Sequence, residues 1–345
     1  LGRARAAQVG QRHRRRSRAR SPHLKATRAR AAALGLLALA ATTRAQAAPC
    51  CGGGALLPSL ITGDDRAQLT VTASQGAIIG DAPAQGVPVF RADGNAESTR
   101  ALKLEGAAIL AERLQAGLAV PVIARHRELG GASADGSAGL GDVTADLGYE
   151  FLPEWTYSRY RPRGFGFVSL TLPTSPSIYD AKLAGGMDAR GRGFVTLGLG
   201  AVFVKTLGDW DWVAQAEAHR SLPREFDFSD EGSDAASAVD PGRLRLSPGW
   251  GGSLLAGVGL SPGGGDLRLG VSVSPAYEGA IQVEGIQSAP ASSQLVWNTA
   301  LQAGYAIAAD WSASAAYVDQ TLLGPARNSR LSRTLAVALQ KRWEP

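Results

Sequence analysis

Two histidines lie outside residues 1–47, His126 and His219, and acid–base or nucleophilic chemistry would have to start from them. His219-Arg220-Ser221 sets an imidazole beside a hydroxyl, and a hydrolase on an outer wall needs Ser, His and a polar orienter in reach of one another. Adjacent residues of a strand point apart, and His219 takes the inward parity, so a partner would have to come from another strand. His126 has outward parity but no serine to pair with it. Asp227, Asp230, Glu231 and Asp234 lie in a loop near His219. Paired acids with a rim histidine are what an omptin-like protease uses, but the same residues also read as a solvated, cation-binding surface. Cys50 and Cys51 are the only cysteines. They can form a vicinal disulfide, bond to another protein or capture a metal, although two thiols are too few ligands for zinc. A lipid anchor is poorly served by Pro49 immediately before them. No P-loop, zinc signature or dinucleotide fingerprint occurs, and Gly263-Gly264-Gly265 reads as a turn. The expectation is no enzyme, no cofactor and no metal.

The elements that carry these residues are strands. Val195, Leu197, Leu199, Ala201 and Phe203 share one face, and Thr196, Gly198, Gly200 and Val202 the other, a period of two. Leu207-Gly208-Asp209 turns the chain. Trp212, Ala214, Ala216 and Ala218 then alternate with Asp211, Gln215, Glu217 and His219. This hairpin recurs about six times with nothing helical between, which predicts an all-β, transmembrane, antiparallel up-and-down barrel of about twelve strands. The expected strands are 68–77, 102–113, 118–128, 140–151, 163–173, the two of the hairpin, 244–260, 266–275, 294–307, 311–322 and 332–343. Connections alternate long and short. An even strand count puts both termini at the short-turn, periplasmic end. Trp155, Trp210, Trp212, Trp311 and Trp343 gather at that end and Trp250 and Trp297 at the other, as indoles do at a membrane interface.

Parity sorts the two faces. Leu102, Leu104, Leu118, Val120, Val122, Val143, Leu147, Leu197, Leu199, Phe203, Leu267, Leu269, Val271, Val273, Leu335, Val337 and Leu339 are expected against lipid. Lys103, Glu105, Arg125, Asp142, Asp146, Glu150, Glu217 and Arg268, with Arg243 and Arg245, are expected to line the lumen. A lipid-facing Arg or Lys at midplane would cost about 2–4 kcal/mol. Such charges either brace the wall in opposite-sign pairs or set what permeates.

The ends of the chain obey other rules. Of 36 basic residues, 12 lie in residues 1–47, which hold no acid; the rest of the chain has 24 basic against 30 acidic residues, a net of −6. The basic pI therefore says nothing of nucleic acid, which is not expected as a partner. Residues 1–22 read as a disordered basic run or an upstream mis-start, because residue 1 is Leu and the single Met is Met187. Residues 23–47 carry a signal-peptide pattern: Lys25, Arg28 and Arg30, an apolar run from Ala31 to Ala41, and Ala45-Gln46-Ala47 for cleavage. Residues 48–67 form a lead segment with the cysteine pair, and 68–343 the barrel. Export to a Gram-negative outer membrane follows, with lipid and lipopolysaccharide as partners.

Gly139-Leu140-Gly141-Asp142-Val143, followed by Leu147-Gly148-Tyr149, resembles the GLGD-x-x-x-x-LGY signature of outer-membrane channels assigned to the meta-cleavage pathway of phenol degradation. Leu170-Thr171-Leu172-Pro173-Thr174 and Gly191-Arg192-Gly193 are also similar to that family. The resemblance spans roughly Leu102–Trp343. It departs at Ser175, where the family has Gly after Pro-Thr, and in the Cys50-Cys51 lead. It implies a transporter-like barrel passing small hydrophobic or aromatic molecules. Beside it stand a structural or partner-binding barrel with a closed lumen and, more remotely, an outer-membrane hydrolase.

Overall fold

The computed structural model describes residues 57–92, 94–130, 132–154, 158–227, 243–284 and 292–344. The basic run, the signal-peptide pattern, Cys50, Cys51, Trp155, Asp230, Glu231 and Asp234 lie outside the described residues. The strands are β1 (Ala67–Ala82), β2 (Val89–Phe90), β3 (Ala96–Ala111), β4 (Leu114–Leu129), β5 (Ala132–Leu140), β6 (Val143–Leu152), β7 (Arg163–Leu172), β8 (Thr196–Leu207) and β9 (Trp210–Ser221). They continue with β10 (Arg224–Asp227), β11 (Arg243–Pro248), β12 (Trp250–Leu260), β13 (Leu267–Glu278), β14 (Ile281–Glu284), β15 (Gln294–Ala308), β16 (Trp311–Asp319) and β17 (Ser329–Trp343).

Twelve of them form a closed antiparallel barrel in the order β1, β3, β4, β6, β7, β8, β9, β12, β13, β15, β16, β17, and β17 pairs back onto β1 from Ala67↔Trp343 to Ala82↔Ser329. The two strands off this path, β2 and β5, add to the sheet on β1 and β4. Parity divides the wall as alternation requires. Leu102, Leu104, Leu118, Val122, Leu147, Leu197, Leu199, Leu269, Leu335, Val337 and Leu339 are all exposed on the outside. Val120, Val143, Phe203 and Val273 are half-buried between neighbours, and Phe203 meets Phe151 edge to face at 5.8 Å. A contiguous apolar outer belt of this kind is one that hydrocarbon, not water, covers. Trp210, Trp311 and Trp343 are exposed at the end that carries the short turns, and Trp250 at the loop end. The Arg220 guanidinium lies 5.7 Å from the Trp250 ring.

Three stretches depart from the sequence expectation. Residues 129–138 were expected as a loop, but β5 occupies 132–140 and pairs with β4 as far as Val122↔Leu140. Its Ala, Gly and Ser residues have little strand propensity of their own, and the partner strand imposes the conformation. The ladder on β4 resumes only at Ala119↔Thr144, so Gly141 and Asp142 stand outside it, opposite a Pro121 that has no N–H to donate. Second, the strand expected over 244–260 is broken at Gly249. Its first part, β11, leaves the barrel and pairs with β10 and β14 in a separate three-stranded sheet. That sheet has its own core of Phe194, Phe226 and Leu246 with Tyr179, Ile281 and Val283 against it. Arg243 and Arg245 therefore sit on this small sheet rather than on the barrel wall, and Arg245 is exposed. Third, β3 begins at Ala96 and β13 ends at Glu278, so both run beyond the expected limits.

The deepest charge pair is inside. Arg268 on β13 and Asp211 on β9 are each 6% exposed and meet in a two-bond fork, Nε to Oδ2 at 2.7 Å and Nη2 to Oδ1 at 2.5 Å. Removing one partner strands the other charge without water, at a cost of about 3–5 kcal/mol. Arg268→Met is expected to lower the unfolding free energy of the detergent-solubilised barrel in urea by that amount. Asp211→Leu/Arg268→Met should recover most of the loss. A double variant as unstable as the single one would show that the pair contributes by packing alone.

Candidate functional site

The site is the barrel interior, and it is built in levels. At the turn end, the segment before β1 folds inward. Ile61 N donates to Gln115 Oε1 (2.6 Å), Gln115 Nε2 returns a bond to Ile61 O (3.2 Å), and Gln68 Nε2 bonds Leu60 O (2.9 Å). Ser59 N donates to Asp146 Oδ2 at 2.9 Å. Every backbone group of the segment that leaves water needs such a partner, and inward-facing polar side chains of β1, β4 and β6 supply them. Leu60 then enters a cluster of Phe165, Phe167, Val202, Val204, Val213 and Leu255, all buried inside the wall. The approach is close. A Cβ on Gly117 would lie 2.0 Å from Ser59 O, so only glycine lets the segment seat there.

Above this floor is a cavity of about 430 Å³. Its lining mixes apolar side chains, Leu57, Pro58, Pro121, Ile123 and Phe167, with charged ones at the same levels: Lys103 is in register with Pro121, and Glu105 lies nearer the turn end. Lys103 pairs with Glu105 at 2.9 Å. The Thr144 and Thr171 hydroxyls bond at 2.9 Å. Asp142, brought inward where the ladder lapses, accepts from the Ser175 hydroxyl and from Arg192 N, both at 2.7 Å. His219 lies between two carboxylates, Nδ1 to Glu217 at 2.9 Å and Nε2 to Glu278 at 3.1 Å, and Glu278 also binds Arg192 at 2.5 Å. The imidazole rests on the bare backbone of Gly251, where a Cβ would come within 2.2 Å of Nε2.

The roof is the chain between β7 and β8, which turns back into the mouth. Arg125 Nη1 donates to Gly186 O (3.0 Å) and Ala189 O (2.8 Å), and the Ser137 hydroxyl to Met187 O (2.7 Å); Met187 is fully buried. Asp180 accepts from Arg224 of β10 at 3.1 Å, which ties the roof to the small sheet. Glu97 is shared by Arg125 (2.7 Å), Arg330 (2.8 Å) and Arg91 (3.2 Å).

Of the residues singled out from sequence, Lys103, Glu105, Asp142, Asp146 and Glu217 line the lower cavity, and Arg125 lines a second one above it. Glu150 and Arg268 sit deeper, at the turn end. Glu150 pairs with Arg163 (2.8 Å), which reaches Asp64 (2.7 Å). His126 is outward and lies 3.4 Å from Glu128. The Ser253 hydroxyl lies 3.5 Å from the Glu217 carboxylate, while the His219 ring has Glu217, Glu278 and Arg192 as its partners. Among the described residues no three His, Cys, Asp or Glu side chains converge as a metal site. Sequence reasoning missed Glu97, Glu278, Arg190 and Gln115. Glu97 and Glu278 fell in stretches expected to be loops, although Glu278 has the parity of Arg268.

No family model matches the chain, and no curated protein matches its sequence. Among solved structures, the COG4313 outer membrane channel from Pseudomonas putida F1 superposes with a TM-score of 0.57 at 16% identity, over 81% of this chain and 96% of that one. The TodX deltaS2S3 mutant monoaromatic hydrocarbon channel gives 0.46 at 11% identity, over 82% and 91%. The beta domain of the Bordetella autotransporter BrkA gives 0.42 at 12%, over 81% and 100%. The fold shared with the Pseudomonas putida channel is that of a closed antiparallel barrel of outer-membrane type.

The roof carries one titrating anchor. Burial works against the Asp188 carboxylate, but the N–H groups of Lys182 (2.8 Å) and Leu183 (3.1 Å) and the nearby Arg190 charge outweigh it and hold its pKa below the usual value. A depressed carboxylate stabilises above its unfolded pKa, and that contribution is lost as pH falls through the folded one. The protection of the Lys182 and Leu183 amides against exchange, relative to the unstructured rate at the same pH, should hold at neutral pH and be lost only as pH falls below the ordinary aspartate range. In Asp188→Asn the protection should be low at every pH. A variant with unchanged exchange would remove Asp188 as the anchor.

Proposed function

We propose that this chain is an outer-membrane channel through which small, largely apolar molecules pass passively. The loop end faces outward and the termini lie in the periplasm. The observation that carries this reading is the 430 Å³ cavity inside a closed barrel whose outer belt is apolar. Its volume falls within the range that accommodates a small organic molecule. Its half-apolar, half-charged lining suits a solute with a hydrophobic body, and the fold likeness to a Pseudomonas putida outer membrane channel supports the same reading. The apolar belt meets lipid, and the loop end meets lipopolysaccharide. The reading needs no enzymatic step: transport down a gradient uses only the shape and polarity of the lumen.

A second reading, a barrel closed at its floor whose loops bind a partner, is favoured by one observation. Leu57–Ile61 is hydrogen-bonded into the lumen rather than lying below it. Planar-bilayer recording separates the two. A channel gives discrete conductance steps, and Gly117→Val, which leaves no room for Ser59 O, should raise the unitary conductance by evicting the segment. A barrel silent both as wild type and as Gly117→Val would be the closed one.

A further inference from the structure

The mouth holds a concentration of arginine that a channel for neutral solutes does not require. A cavity of about 380 Å³ is lined by Arg125, Arg190, Arg192 and Arg330 with Ile178 and Ala189, and no carboxylate is among its lining residues. The acids that serve these arginines are outside that lining and oversubscribed. Glu97 takes Arg91, Arg125 and Arg330, and Glu278 takes Arg192 and His219. Arg190 is served least. It donates to Leu140 O at 3.2 Å and to the Ser137 hydroxyl at 3.3 Å, and no carboxylate among the described residues lies within ion-pair distance of it. Arg190 and Arg192 line both this cavity and the one below, so they mark the passage between them.

We infer that this arginine cluster is a binding site for the carboxylate of a small amphipathic acid, an aromatic or short-chain carboxylate, whose apolar body then meets Pro121, Ile123 and Phe167 below. The inference rests on the channel reading and names the substrate class of that channel. A guanidinium fork matches a carboxylate in plane and charge, and rings of Arg or Lys are what make a pore prefer anions. Inorganic phosphate shares the charge but not the apolar body. The mouth holds four arginines, and the cavity below presents Pro121, Ile123 and Phe167 among charged neighbours, so one molecule can meet both a guanidinium and an apolar surface.

The test uses the purified barrel in planar bilayers. Conductance in KCl reports on the channel. Reversal potential in a KCl gradient, and current block by benzoate, benzyl alcohol and phosphate added on the loop side, report on the site. Anion preference is expected, with benzoate blocking more strongly than benzyl alcohol or phosphate. Arg190→Gln should weaken benzoate block about tenfold, the loss of one charge-assisted contact. Arg220→Gln, on the outer wall, should leave it unchanged. Heat-modifiable gel migration checks that each variant is folded. A conducting barrel that benzoate blocks no better than benzyl alcohol or phosphate, or whose block Arg190→Gln leaves intact, overturns the inference while keeping the channel. If the barrel does not conduct, calorimetric titration of benzoate and benzyl alcohol into wild type and Arg190→Gln decides. Saturable benzoate binding lost in the variant supports the site, and its absence overturns it.

Discussion

The pairing of β17 with β1 is the constraint on which everything else depends. A sheet standing in hydrocarbon has no water to satisfy an open edge, and each unpaired N–H or C=O there costs several kcal/mol. The first and last strands must therefore find each other along their whole length, and they do so from Ala67↔Trp343 to Ala82↔Ser329. Closure fixes the strand count, the count fixes the width of the interior, and the width leaves room for more than side chains. The outer belt and the inner polar face are two results of the same ring, because alternate residues of every strand must look opposite ways.

Inside, the ring encloses charges that lipid would not tolerate, and it neutralises most of them locally. Arg268 with Asp211 and Arg163 with Glu150 pair between strands, and Lys103 with Glu105 pairs along β3. The apolar cluster around Leu60 stands between two charged levels, and it is the one place where the interior resembles the core of a soluble protein. Only at the mouth does one sign dominate. Polarity in the lumen is therefore graded rather than uniform: paired charges, then an apolar girdle, then mixed charge, then arginine.

Much of the barrel is legible in the sequence because its rule is short-ranged. A period of two and a turn every dozen residues assign Leu197 outward and Glu217 inward without knowledge of any neighbour. What depends on register is not legible. Parity places Arg268 and Asp211 on the inner face, but only the stagger of β9, β12 and β13 brings them together across an intervening strand. Nor does parity disclose that His219 rests on Gly251 between Glu217 and Glu278. Residues 132–138 look like a loop because Ala, Gly and Ser carry no strand preference, and β4 overrides them. At sixteen residues β3 outruns the hydrocarbon, and β13 runs three residues past its expected end at Pro275, so Glu97 and Glu278 stand in stretches that composition alone assigns to loops.

The segment before β1 has a further consequence, for the order of assembly. Leu57–Ile61 is held by side chains of β1, β4 and β6, all in the first half of the barrel, while the wall that shuts it in is completed by β17. A strand of chain cannot readily be threaded into a ring already closed. It is more easily laid on an open, curling sheet, with Leu60 set against the inner faces of β7, β8 and β9 before the last strands arrive. The segment then acts as a mandrel for assembly: the wall is wound around a piece of its own chain, while the strand count sets the bore.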